Sequence, residues 1–172
     1  MNTNFELRPW QITDLDNLVQ YANNSNVSKN LTNRFPYPYT SADGQAFIKM
    51  TLEHNPTQIM AIVIDGVAAG GIGLHPQKDI FYKNTELGYW LAEPFWGKGI
   101  MTKAVRQMVD YGFENFEINR IFARPFGSNI GSQRVLEKAG FKLEARFFQT
   151  IFKNNSYEDD LVYGIRNTKT IN

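Results

Sequence analysis

The 172-residue chain contains no cysteine, which excludes disulfides, thiolate metal sites and a cysteine nucleophile. It has only two histidines, His54 and His75, neither with an Asp or Glu at metal-ligand spacing. Both read as ordinary packing or surface residues, and no metal is expected. Neither sign of charge dominates. Eighteen Lys and Arg face 17 Asp and Glu, and no run of cations would track nucleic-acid phosphates, so no nucleic-acid partner is expected. Long apolar runs are missing too: nothing approaches the ~18 residues of a membrane span. Met1 to Glu6 lacks the basic patch and apolar run of a leader. These absences lead us to expect a cytoplasmic protein without a membrane partner. What is present, 42% hydrophobic and 14% aromatic residues, suffices for one packed core. The length suits one domain over residues 1–172, with an ordered core of about 5–166.

Phe5 to Arg8 alternates like a first strand, and Thr13-Asp14-Leu15-Asp16 reads as a helix start leading into the stripe Leu15, Leu18, Val19 and Ala22. The prolines of Phe35-Pro36-Tyr37-Pro38-Tyr39 force a loop. Thr40 to Asp43 opens a second helix with Ala46, Phe47, Met50 and His54 on one side, ended by Asn55-Pro56. Ile59–Ile64, the pair Asp65-Gly66 and Val67–Leu74 spell a hairpin. A third strand, Thr85–Leu91, runs through Glu93-Pro94-Phe95-Trp96 into a glycine turn, followed by a helix from about Thr102 to Glu114 with Met101, Val105 and Met108 as core positions. Arg120 to Arg124 is a short strand, Asn129 to Ala139 a helix stopped by Gly140, and Phe141–Phe152 and Tyr157–Arg166 two further strands. Glu158-Asp159-Asp160 reads as a solvated turn, and Asn167 to Asn172 as a frayed tail.

The chemistry sits at Trp96-Gly97-Lys98-Gly99-Ile100-Met101. A Gly-x-Gly turn between strand and helix leaves several backbone N–H groups unpaired at a helix start, and glycine lets a diphosphate come close. It lacks the Gly-Lys-Ser/Thr of a nucleotide-hydrolysing loop and the third glycine of a dinucleotide fingerprint. The turn alone is equally compatible with a connection that binds nothing.

Glu86-Leu87-Gly88-Tyr89-Trp90-Leu91, then Phe95 to Thr102, then Asn129-x-x-Ser132 through Leu136-Glu137-Lys138-Ala139-Gly140-Phe141 together resemble the GNAT superfamily of acetyl-CoA-dependent N-acetyltransferases. Pro36 to Thr40 and Tyr157-x-Asp159-x-x-x-Tyr163 resemble its ribosomal-protein N-terminal (alanine/serine) acetyltransferase branch. The resemblance implies an α/β (α+β) fold: a mixed, mostly antiparallel sheet flanked by helices, with splayed fourth and fifth strands. It also implies acetyl-CoA as cofactor and CoA as product, with the pyrophosphate on Trp96, Gly97, Lys98, Gly99, Ile100, Met101 and Thr102. The pantetheine arm would meet main chain at Trp90, Leu91 and Ala92, and Asn129 and Ser132 from the other side. Two departures stand out. Trp96 and Met101 occupy the first and last places of the usual glycine-turn pattern, and Leu136 stands where many members carry the tyrosine that protonates the CoA thiolate.

An amine must be neutral to attack a thioester, yet a Lys-type amine has a pKa of ~10 and an α-amine one of ~8. Glu86 is the best-placed carboxylate to accept that proton, directly or through water. Ser132 is the candidate to assist the leaving thiolate, and N–H groups near Leu91 could polarise the thioester oxygen. Phe35, Tyr37 and Tyr39 occupy the region that in this family borders the acceptor, although a lid or dimer contact suits them equally. The acceptor expected is a protein N-terminus. The alternatives are a small amine such as a polyamine, amino acid or antibiotic, or a catalytically silent CoA-binding domain. The oligomeric state, monomer or homodimer, stays open.

Overall fold

The computed structural model describes residues 4–168, so the tail from residue 169 onward lies outside the described residues. The strands are β1 (Phe5–Pro9), β2 (Ile59–Ile64), β3 (Val67–Pro76), β4 (Asn84–Leu91), β5 (Arg120–Ala123), β6 (Lys142–Lys153) and β7 (Ser156–Arg166). The helices are α1 (Leu15–Ala22), α2 (Ser25–Ser28), α3 (Ser41–Thr51), α4 (Ile100–Asn115) and α5 (Ile130–Lys138). Hydrogen-bonded neighbours follow the order β1-β2-β3-β4-β5-β7-β6. The sheet is the mixed, mostly antiparallel one expected, with β4 and β5 its parallel pair. That pair holds register only from Asn84↔Arg120 to Glu86↔Phe122, while β4 continues to Leu91. The chain divides into two compact units, residues 1–73 with 89–100, and 74–88 with 101–172.

In the first unit, β1, β2 and β3 form an antiparallel meander. Asp65 and Gly66 both take positive φ, 50° and 82°, the twist a two-residue hairpin needs. Helix α3 starts as expected: Thr40 Oγ1 accepts from Asp43 N–H at 3.3 Å, and the Asp43 carboxylate accepts from Thr40 N–H at 2.8 Å. Its buried side is Gly44, Ile48 and Thr51, with Ala46 and Met50 exposed, so the expected stripe is rotated. Helix α1 decides this: it packs against Gly44, where an added Cβ would meet Leu15 Cδ1 at 2.7 Å and Val19 Cγ2 at 3.3 Å, while Phe47 packs edge-on against the fully buried Trp10, with ring centroids 5.4 Å apart. The chain also enters α1 earlier than expected, through a 3-10 turn over Ile12–Asp14. Asp14, rather than Asp16, closes it by accepting from Gln11 N–H at 2.9 Å and from the Arg8 guanidinium at 2.7 and 2.8 Å. Burial alone would raise the Asp14 carboxyl, but these donors outweigh it and hold it below the usual range.

In the second unit, α4 buries Val105 and Met108 as its spacing predicts, alongside Leu74, Ile121 and Leu136. β5 pairs with β7 and β7 with β6, both antiparallel. Asn154 and Asn155, at φ 53° and 58°, turn β6 into β7. No helix among the described residues is long and apolar enough to cross a membrane.

Candidate functional site

β4 delivers the chain through a 3-10 turn over Glu93–Phe95 into the glycine turn, and α4 begins directly after it at Ile100. Gly97 and Gly99 both sit at φ 75°, a region that side chains other than glycine rarely adopt. A Cβ built on either meets nothing within 4 Å, so the turn is open on that side. Among the described residues, Gly97, Lys98 and Gly99 donate no backbone hydrogen bond, and the 16-residue α4 starts directly after them, its dipole favouring an anion there. The turn is also anchored. Trp96 Nε1 donates to the Leu91 carbonyl at 2.7 Å, and Lys98 lies 5.2 Å over the Phe95 ring. Ala92 N–H is already given to the Ala69 carbonyl at 2.8 Å, so it is not available to a cofactor arm. A short anchored turn of this kind can hold an anion without first being ordered.

The Phe35–Tyr39 loop is less exposed than its sequence suggests. Phe35 packs against Trp90 at 5.6 Å and Tyr39 at 5.2 Å between centroids, and Tyr39 is buried. Burial, with Asp43 nearby, pushes the Tyr39 hydroxyl up to about 12. Tyr37 alone of the three is well exposed. The structure therefore joins Phe35, Tyr39 and Trp90 in one aromatic cluster and leaves Tyr37 outside it.

In the second unit Glu86 is half-buried at the last registered pair between β4 and β5. Residues two apart on a strand share a face, so Glu86, Phe122 and Arg124 lie on one side. Arg124, just past the end of β5, donates through Nε to Asp160 at 3.2 Å and through Nη2 to the other oxygen. The Asp160 bond, opposed by desolvation and assisted by the charges of Asp160 and Glu86, holds the guanidinium above its usual value. The acidic run is therefore no solvated turn. It lies within β7, Asp160 is 2% exposed, and Asp159 binds Arg146 Nε at 2.8 Å and Gln149 N–H at 2.9 Å. Register made the difference: alternation along β7 turns Asp160 toward Arg124. The Arg124–Asp160 pair had no local signal, since its members stand 36 residues apart.

Asn129 caps α5, accepting from Ser132 N–H at 3.1 Å, so these two residues are brought together by the cap. Leu136 is fully buried among apolar neighbours and offers no proton. No group of three or more His, Cys, Asp or Glu able to hold a metal occurs among the described residues.

A fold of this topology, a glycine turn opening a long helix and a parallel pair that parts beyond Glu86 define the class. The model of the acetyltransferase (GNAT) domain matches residues 4–142, and the chain belongs to that family. The chain is 35% identical over 104 residues to the putative ribosomal N-acetyltransferase YdaF of Bacillus subtilis, a match covering 60% of this chain and 56% of that protein. It is 46% identical over 81 residues to the probable N-acetyltransferase YjcK of the same organism, covering 47% and 45%. The chain thus spans about half the length of these relatives. Among solved structures, RimL, a ribosomal L7/L12 alpha-N-protein acetyltransferase in complex with coenzyme A, shares the fold with a TM-score of 0.82 at 22% identity, over 96% of this chain and 95% of that one.

Proposed function

We propose that residues 1–172 form one N-acetyltransferase domain that transfers the acetyl group of acetyl-CoA to a primary amine, a protein N-terminal α-amine of the ribosomal-protein type. The observation that carries this reading is the anchored, outward-open turn of Gly97 and Gly99 at the start of α4. In it, the turn from Trp96 to Thr102 takes the pyrophosphate on backbone N–H groups, which tolerate Trp96 and Met101 at the pattern's ends because side chains do not do the binding. Main chain at Trp90 and Leu91 meets the pantetheine arm. Asn129 and Ser132 contact that arm on the strength of the family resemblance. Glu86 helps remove the proton of the acceptor, and with Leu136 apolar the thiolate takes its proton from Ser132 or water. Similarity to a protein named as a ribosomal N-acetyltransferase supports the α-amine acceptor. Placement in the cytoplasm belongs to the same reading.

Gly99→Glu tests the cofactor assignment by putting bulk and a negative charge where the diphosphate would sit. Isothermal calorimetry should show acetyl-CoA affinity falling ~100-fold or more, while Gly99→Ala, which adds only the ~1–2 kcal/mol strain of a left-handed residue, loses much less. Equal affinity in folded Gly99→Glu and parent protein would remove the turn from the site. The acceptor is decided by acetyl-CoA consumption against N-terminal peptides, polyamines, amino acids and aminoglycosides. Turnover confined to the small amines would overturn the peptide reading, and binding without any turnover would leave a silent CoA-binding domain.

A further inference from the structure

Gln77 N–H donates to the Asn84 carbonyl at 3.0 Å, fixing the last residues of the β3 hairpin arm against the first of β4. In an antiparallel ladder this makes Gln77 and Asn84 direct partners, and two residues further along each strand His75 stands opposite Glu86. Alternation puts both on the side away from the buried Leu74, Thr85 and Leu87. Opposed residues of such a ladder carry their Cβ atoms roughly 4.5–5.5 Å apart. The imidazole leans over the next position on that face: a Cβ built on Gly88 would meet His75 Nε2 at 3.3 Å and Cδ2 at 3.7 Å. Glycine at 88 thus gives the ring its place, and His75 remains exposed to an incoming molecule. Arg124, beyond β5, faces Glu86, with Asp160 on β7 occupying Nε and Nη2 of that arginine, and Arg120 shares the same face, its guanidinium 4.7 Å over the Phe122 ring and held by Glu144.

We propose that His75 and Glu86 form an imidazole–carboxylate dyad in which His75 accepts the proton of the acceptor ammonium and Glu86 orients and balances the resulting imidazolium. This rests on the reading that the acceptor amine approaches the Glu86 face. Proton affinity favours the imidazole. Moving a proton from an α-ammonium of pKa ~8 to an ordinary carboxylate is uphill by between 3 and 4 pK units, and to an ordinary imidazole by only about 1.5. The ammonium gives one proton to His75. The freed nitrogen lone pair then forms the N–C bond at the thioester carbonyl. As the C–S bond breaks, the nitrogen loses its second proton and the thiolate takes one up, leaving amide, CoA thiol and one proton on His75 for solvent.

With two histidines in the chain, His75→Gln assigns the ring resonances by NMR. The His75 midpoint should move about 0.5 to 1 pH unit lower in Glu86→Gln, as expected when a neighbouring negative charge is removed. An unmoved midpoint overturns the dyad whatever the activity. In kinetics with the amine that the parent turns over, His75→Gln should lose about 100-fold in kcat together with the acid limb of the pH profile, at acetyl-CoA KM within about twofold. Added imidazole should restore rate to His75→Ala. Parental kcat in His75→Gln with a slow Glu86→Gln overturns the role of His75 alone. Parental kcat in both variants overturns the assignment of this face as well.

Discussion

The two units hold themselves together by different means. The first relies on an apolar cluster around Trp10, Ile48, Phe35 and Trp90, and the indole N–H of Trp10 is buried without a hydrogen-bond partner. The second carries the pairs Lys83–Glu117, Arg120–Glu144, Arg166–Glu144, Arg124–Asp160 and Arg146–Asp159, against Arg8–Asp14 in the first. Arg120 and Arg166 share Glu144, with Arg120 also reaching Asn84 Oδ1 at 3.0 Å, and Arg124 holds Asp160. A dispersion-held cluster responds to lost volume, whereas a set of paired charges responds to pH. The aromatic unit should therefore be intolerant of truncation and the ionic unit intolerant of acid.

Trp10→Ala should break the contrast most sharply. Emptying that site costs ~3–5 kcal/mol by denaturant titration, at neutral and acid pH alike, whereas Trp10→Phe, which removes an N–H that bonds to nothing, should cost far less. A pH-dependent loss would mean that the aromatic cluster leans on charges. Glu144→Gln is the counterpart. The Arg120 bond first, then Arg166, outweigh burial and hold the Glu144 carboxyl below its usual value. A depressed folded-state value adds stability that is present above the unfolded carboxyl pKa of ~4.3 and lost as pH falls through the folded one. With its side chain 22% exposed, the substitution should cost about 1–2 kcal/mol at pH 7. The gap from the parent should close below about pH 4, and a gap that persisted there would assign the loss to packing. The smallest effect belongs to Tyr37→Ala, which should leave stability within ~0.5 kcal/mol. If this loop borders the acceptor, the acceptor KM rises several-fold and that of acetyl-CoA stays put. The reverse would move the loop to the cofactor.

Legibility in the sequence followed the range of the forces involved. The Asp65-Gly66 hairpin, the Thr40 and Asn129 caps and the glycine turn were all readable, because each is fixed by residues within a few positions of one another. Helix α2 and the 3-10 turns over Ile12–Asp14, Asp79–Phe81 and Glu93–Phe95 were not, being too short to show a period. The stripe of α3 was misplaced because α1, a separate segment, packs at Gly44 and selects which side is buried. At the candidate site the turn and Glu86 were legible through motif, but the Arg124–Asp160 pair and the opposition of His75 to Glu86 depend on strand register. Read along the chain, His75 has no carboxylate at a useful spacing. Read across the ladder, it has one beside it.

Trp96 has an optical consequence. Trp10 and Trp90 are 1% and 9% exposed, while Trp96, at 44%, sits on the glycine turn with its indole N–H tied to Leu91. Of the three indoles, only this one is open to a collisional quencher such as acrylamide. Its emission therefore reports on the turn selectively, and the protein carries its own label for whatever settles there.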